Sequence, residues 1–191
     1  MIIEVRKIGK FLSLVLAGAF LLFIIFQLPW VQRLRYPMPY KGSVQKYATQ
    51  YGVDPYLVTA VIREESKFMP KAQSKAGAKG LMQLMPETAQ WAADKAGLNK
   101  FQEELLFEPD ANIRLGSWYI ANLSQQFQNN TVLVLAAYNG GSGRVKDWLD
   151  RGQISPSGKV AELPILETKE YVKRVLKSYA KYRQLYPDLN F

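Results

Sequence analysis

The chain has 191 residues, 48% apolar, 21% charged and 13% aromatic, enough apolar side chain for one packed domain with an appendage and too much for a disordered polymer. It contains no His and no Cys, which excludes zinc, haem and iron–sulfur sites, disulfides and any nucleophile activated by a His base. Chemistry must therefore come from carboxylates, hydroxyls, amides or Lys, with no metal and no cofactor expected. Against 16 Asp+Glu stand 25 Lys+Arg, a net charge of +9 that favours an anionic partner.

The first element runs from Phe11 to Gln32 without a charged residue. As a helix it would be about 33 Å long, sufficient to cross a hydrocarbon core. Trp30, Tyr36 and Tyr40 stand where interfacial aromatics are found. Residues 11–32 are thus expected to be an uncleaved transmembrane anchor, preceded by a short cytoplasmic tail at 1–10. The competing reading is a cleaved leader, suggested by Ala17-Gly18-Ala19, but cleavage there would leave Phe20 to Phe26 exposed. Basic residues flank the segment on both sides, so charge alone does not orient it. A linker is expected over 33–42, stiffened by Pro37 and Pro39, and a soluble domain over 43–191.

Helical signals then follow nearly throughout. Ser43 can cap a helix ending at Gly52, and Asp54-Pro55 opens a second through about Lys67. Pro86-Glu87 starts a third, ended by Gly97; Pro109-Asp110 starts a fourth to about Gln128; Thr131 can cap a fifth through Tyr138. A short helix holding Trp148 follows Gly140, Gly141 and Gly143, and a last helix spans about Ile165 to Tyr182. No segment alternates over strand length, so the domain is read as all-α with at most a minor hairpin.

The second of these helices carries a misplaced carboxylate. With Leu57 at 0°, Val61, Val58 and Ile62 fall at about 40°, 100° and 140°, an apolar stripe in whose middle Glu65 lies near 80°. Glu64 falls near −20°, at its edge. Burial without a partner disfavours the ionised carboxyl and raises its pKa, which is how a Glu stays protonated near neutral pH and acts as a general acid. An Arg or Lys from another helix would instead make Glu65 a structural ion pair.

Four short runs accompany it: Glu65-Ser66, Gly80-Leu81-Met82-Gln83 following Ser74, Ala137-Tyr138-Asn139-Gly140-Gly141, and Glu167-Thr168 with Tyr171-Val172. Each alone is an ordinary turn, cap or helix start. In this order and spacing they resemble the soluble-lytic-transglycosylase (SLT) family over about residues 41–185. Pro86, Thr88 and Ala89, together with Asn112-Ile113, Gly116 and Tyr119, match that family's secondary pattern. The resemblance implies a lysozyme-like α domain that cleaves peptidoglycan glycan strands, held outside the cytoplasmic membrane by the anchor. It makes Glu65 the catalytic residue and implies Ser66, Ser74, Met82, Gln83, Tyr138, Asn139 and Glu167 as substrate-binding positions. One carboxyl suffices for a lytic transglycosylase, acid first and base second, because no external water is used. Two alternatives remain open: a hydrolytic muramidase recruiting Asp147, Asp150, Glu162 or Glu167 as second carboxylate, and a wall-binding module without turnover. Nucleic acid is not expected as a partner, since no helix carries an aligned basic stripe with base-reading residues.

Overall fold

The computed structural model describes residues 2–98 and 100–187, with side chains from residue 10 onward. The expected tail begins at Met1 and the expected domain ends at Phe191; Met1 and residues 188–191 lie outside the described residues, as does Asn99. The chain divides into two compact units, Met1–Pro37 and Met38–Phe191.

The first unit holds α1 (Ile2–Gln27) and α2 (Pro29–Arg35). Lys10–Gln27 has a mean hydropathy of 2.1 and none of it is buried, so this helix is long and apolar enough to cross a membrane. The helix does not continue to Gln32. Leu28 is extended (φ −63°, ψ 133°) because Pro29 has no N–H to donate and crowds a helical residue before it. Residues 33–35, expected in the linker, form the last turn of α2.

The second unit is helical, and no strand occurs among the described residues. In place of the minor hairpin that the sequence allowed without locating it, single bridges pair Gln73 with Lys79 and Lys79 with Leu84. Its helices are α3 (Lys41–Tyr51), α4 (Pro55–Ser66), α5 (Pro86–Lys95), α6 (Pro109–Gln126), α7 (Thr131–Gly140), α8 (Ser142–Asp150) and α9 (Leu166–Leu185), with 3₁₀ turns at Glu103–Phe107 and Val160–Glu162. Proline at the first helical position opens α4, α5 and α6, as their sequences suggest. Asp54 caps α4 by accepting the Tyr56 N–H at 2.8 Å, and its second oxygen accepts the Tyr179 hydroxyl at 2.6 Å, so one side chain both starts α4 and ties it to α9. Two caps differ from expectation. Helix α3 begins two residues before Ser43, whose hydroxyl instead donates to Asp110 at the head of α6, and α7 is capped by Asn130, whose Oδ1 accepts from Val132 and Leu133.

Helix α7 is the centre of the unit. Leu133 through Ala137 are buried in succession, as expected of a helix apolar on every side, and α6, α8 and α9 pack around it. Helix α4 buries Val58, Ala60, Val61 and Ile62 completely against α9 and α3. The Val and Ile side chains each contribute about 1.5–3 kcal/mol, which holds the C-terminal turn of α4 against the face of α9.

Candidate active site

That last turn of α4 carries two carboxylates, and both turn toward α9. Glu64 is well enclosed, its side chain 8% exposed, although the helical wheel puts it at the edge of the stripe. It is also fully partnered: it accepts from the Ser178 hydroxyl at 2.7 Å and Lys67 at 2.9 Å, with Arg63 and Arg174 at 3.7 and 3.8 Å. Burial works to raise its pKa, but these donors and cations outweigh it and hold it below the ordinary value.

Glu65, half-buried, receives one hydrogen bond among the described residues, from the Tyr171 hydroxyl at 2.6 Å. Burial raises its pKa to about 7, against the opposing pull of that bond and of the Arg174 charge. Burial and partnership together separate the two residues: donors and cations hold Glu64 as an anion, whereas at Glu65 burial outweighs the fewer groups that favour the charge. Two phenols enclose it. Tyr138 and Tyr171 are both pushed well above the ordinary value, first by burial and then by the charge of Glu65. They remain neutral and act as hydroxyl donors.

The backbone beneath the carboxyl is unusual. Lys67 and Phe68, directly after Ser66, both take left-handed conformations (φ 52° and 65°), as does Gln83 (φ 48°). Such conformations in side-chain-bearing residues are held only where surrounding contacts enforce them. Lys67 is the left-handed C-cap of α4, its N–H on the Arg63 carbonyl, and the far part of the 67–85 loop is pinned by Asn112 of α6. Its Oδ1 accepts the Met82 N–H at 2.8 Å, while its Nδ2 donates to the carbonyls of Leu106 at 2.8 Å and Lys79 at 3.1 Å. Gly80 (φ 78°) passes so near that a Cβ there would lie 1.9 Å from the Leu106 carbonyl oxygen. The loop then presents the Met82 carbonyl, which accepts the Tyr138 hydroxyl at 2.7 Å.

In front of these groups lies a groove of about 230 Å³ lined by Gln83, Met85, Thr88, Tyr119, Tyr138 and Asn139, among others. The residues expected to bind substrate are placed as follows. Gln83, Tyr138 and Asn139 line the groove, with Gln83 held by donation to Ala72 and Gly80 carbonyls. Ser74 closes the turn to Ala78, accepting its N–H at 3.0 Å. Glu167 is exposed in the first turn of α9, one turn before Tyr171 and on the same face. Two have buried side chains. That of Met82 is fully buried, lodged where Gly116 leaves room for its sulfur, so what this residue presents is its carbonyl, bonded to Tyr138. Ser66 is also buried, and its hydroxyl bonds back to the Ile62 carbonyl at 3.2 Å, which leaves it a helix-end residue.

Tyr171 carries no assigned role in the sequence reading, although a signal was present. It belongs to the buried stripe of α9 with Thr168, Val172, Val175, Ser178 and Tyr182, and a buried phenol needs a partner as much as a buried carboxyl does. Of the other carboxylates considered for a second catalytic role, Asp147 pairs with Arg151 at 2.8 Å and Glu162 accepts from Ser155. Asp150 borders a separate hollow at the far end of α7.

Comparison with known proteins bears on this arrangement. The transglycosylase SLT domain family matches residues 42–158. The soluble lytic murein transglycosylase of Escherichia coli is 36% identical over 157 residues, covering 81% of this chain and 24% of that protein. Membrane-bound lytic murein transglycosylase C of Edwardsiella ictaluri is 33% identical over 168 residues, covering 76% of this chain and 47% of that protein. The crystal structure of the 70 kDa soluble lytic transglycosylase of Escherichia coli superposes with a TM-score of 0.76 at 36% identity, over 82% of this chain and 26% of the other. A lytic transglycosylase from Pseudomonas aeruginosa gives 0.73 at 38% identity, over 80% of this chain and 25% of that one. The chain thus spans about a quarter of the length of the soluble relatives it matches.

Proposed function

The chain belongs to the transglycosylase SLT family, and from that premise we propose that its second unit is a peptidoglycan lytic transglycosylase with Glu65 as acid and then base. The observation that carries the reading is the pairing of Glu65, its pKa raised to about 7, with the Tyr171 hydroxyl, near a groove of about 230 Å³ that Tyr138 lines. Protonated Glu65 gives its proton to the glycosidic oxygen between N-acetylmuramic acid and N-acetylglucosamine. The substrate's own acetamido oxygen stabilises the positive charge at the anomeric carbon. The Glu65 carboxylate then takes the proton of the muramoyl 6-hydroxyl, which closes on the anomeric carbon as the 1,6-anhydro ring. Proton and bond counts balance without water, and a pKa near the working pH suits a group that must both lose and regain a proton. Tyr171 holds the carboxyl in place between the two steps, and Gln83 and Asn139 supply amides to the strand.

The apolar helix around Lys10–Gln27 is proposed to cross the cytoplasmic membrane once and to keep the second unit on its outer face, next to the wall. Relatives named as membrane-bound lytic murein transglycosylases support membrane association.

Digestion of isolated peptidoglycan in heavy-oxygen water, followed by mass spectrometry, tests the reaction. The expected muramoyl ends are unlabelled and lighter than hydrolysed ends by one water. Labelled reducing ends would replace this reading with a muramidase in which Glu167 activates water, and unchanged peptidoglycan would leave a binding module.

A further inference from the structure

The groove does not end at Tyr119. Trp91, one turn after Thr88 on the same face of α5, makes T-shaped contacts with Tyr119, at 6.2 Å between ring centres, and with Trp118, at 4.9 Å. Tyr119 in turn lies 5.4 Å from Tyr138, the phenol whose titration feels Glu65. A run of rings therefore leads from the reacting carboxyl out to the surface at α5. Neither neighbour lies parallel on the Trp91 indole, and 39% of this residue remains exposed. Trp91 and the groove-lining Met85 are two of the four large apolar side chains, with Met69 and Leu166, that the second unit exposes among its described residues.

A Trp whose ring neighbours meet it at steep angles, with surface to spare, is a costly way to fill a helix face and a good platform for a flat, partly apolar ligand. We propose that Trp91, supported by Trp118, is a distal sugar subsite. It stacks the C–H face of a pyranose ring of the same glycan strand, beyond the sugars flanking the scissile bond. The occupant follows from continuity with the groove. A strand seated on Gln83, Thr88 and Asn139 that continues past Tyr119 meets Trp91 next, and each ring-to-ring step is comparable to one sugar. This inference rests on the proposed glycan-cleaving function. It assigns Trp91 to substrate length and not to bond breaking, since the residue lies outside the hydrogen-bonded groups around Glu65.

The test uses the full-length chain in detergent micelles, with peptidoglycan glycan chains freed of stem peptides and sorted by length. Trp91→Ala is expected to raise KM and lower kcat/KM on long chains by about tenfold or more, the scale of one lost apolar contact in a binding pocket. The shortest cleavable chains should be processed as by the parent, and Trp91→Tyr should recover most of the loss. Equal loss on short and long chains would make Trp91 a structural residue and overturn the subsite. So would no loss at all, or a loss seen only when stem peptides are kept. Calorimetric binding of long chains to Glu65→Gln, with and without Trp91→Ala, separates the two levels of inference. A parent without turnover sinks the proposed reaction, while the calorimetry still supports the subsite if Trp91→Ala weakens binding and overturns it if affinity is unchanged.

Discussion

Glu64 and Glu65 are neighbours in sequence with opposite electrostatics, and substitutions around them should move activity in opposite directions. Glu65→Gln keeps size and hydrogen bonding but cannot pass a proton, so turnover should fall by about 10²–10⁴-fold, the span assigned to general acid–base catalysis. The same change has a stability signature. With the folded pKa raised from 4.5 to about 7, protonated Glu65 favours folding fully below the unfolded value, and that contribution is lost as pH rises through 7. Unfolding of Glu65→Gln measured against the parent between pH 4 and pH 8 should therefore show the variant gaining relative stability with pH, by at most a few kcal/mol. Tyr171→Phe removes a donor to the carboxylate, which disfavours the anion and should shift the alkaline limb of kcat/KM to higher pH. Glu64→Gln removes an anion that raises Glu65 and frees Lys67 and Arg174 to lower it, so its limb should shift to lower pH. Shifts of the same sign in these two variants would refute the assignment of that limb to Glu65. Helical phase alone reached Glu65 but not this contrast, because a wheel describes one helix and the donors Tyr171, Arg174 and Ser178 all come from α9.

At the level of elements, the pieces with local chemistry were legible and the pieces defined by long-range contact were not. Proline starts and the Asp54 cap placed α4, α5 and α6 within a residue or two, since those signals act inside one turn. The 67–85 loop could not be read the same way. Besides Gly77 and Gly80, its left-handed residues are Lys67, Phe68 and Gln83, none of which advertises that conformation, and its anchor at Met82 is Asn112, some 30 positions downstream. Met82 looked like a groove residue for the same reason: nothing local announces that Gly116 opens a slot for its sulfur. Asn112→Ala tests the anchor. It strands the Met82 N–H and the Leu106 carbonyl in a buried setting, at about 1–3 kcal/mol for each unmet group. Denaturant unfolding should register a loss of that order. Turnover of the surviving folded protein should fall as well, because Tyr138 is positioned by the Met82 carbonyl. A variant as stable and as active as the parent would show that the loop holds its shape without this side chain.

For the whole molecule, two forces can keep the second unit at a membrane or wall surface, and they respond differently to solution conditions. Residues 31–191 carry 22 Lys+Arg against 15 Asp+Glu, so attraction to anionic lipid or wall polymers is general and is screened within about 8–10 Å at 0.1–0.15 M salt. The exposed apolar helix gives an attraction that salt does not screen. Its 18-residue Lys10–Gln27 span is about 27 Å long, close to a hydrocarbon core with little tilt. The second unit buries its own core, including Val44, Ile62, Leu135 and Tyr182, all within 38–191, and it contains every group of the proposed site. Removal of residues 1–37 should therefore give a folded protein that cleaves isolated peptidoglycan at the parent's rate. In cells, full-length protein should stay with the membrane fraction through washes with molar salt and then alkaline carbonate, and leave it only with detergent. The truncated form should be released by salt alone. Release of the full-length chain by salt would assign its location to charge, and the helix would lose its role as an anchor.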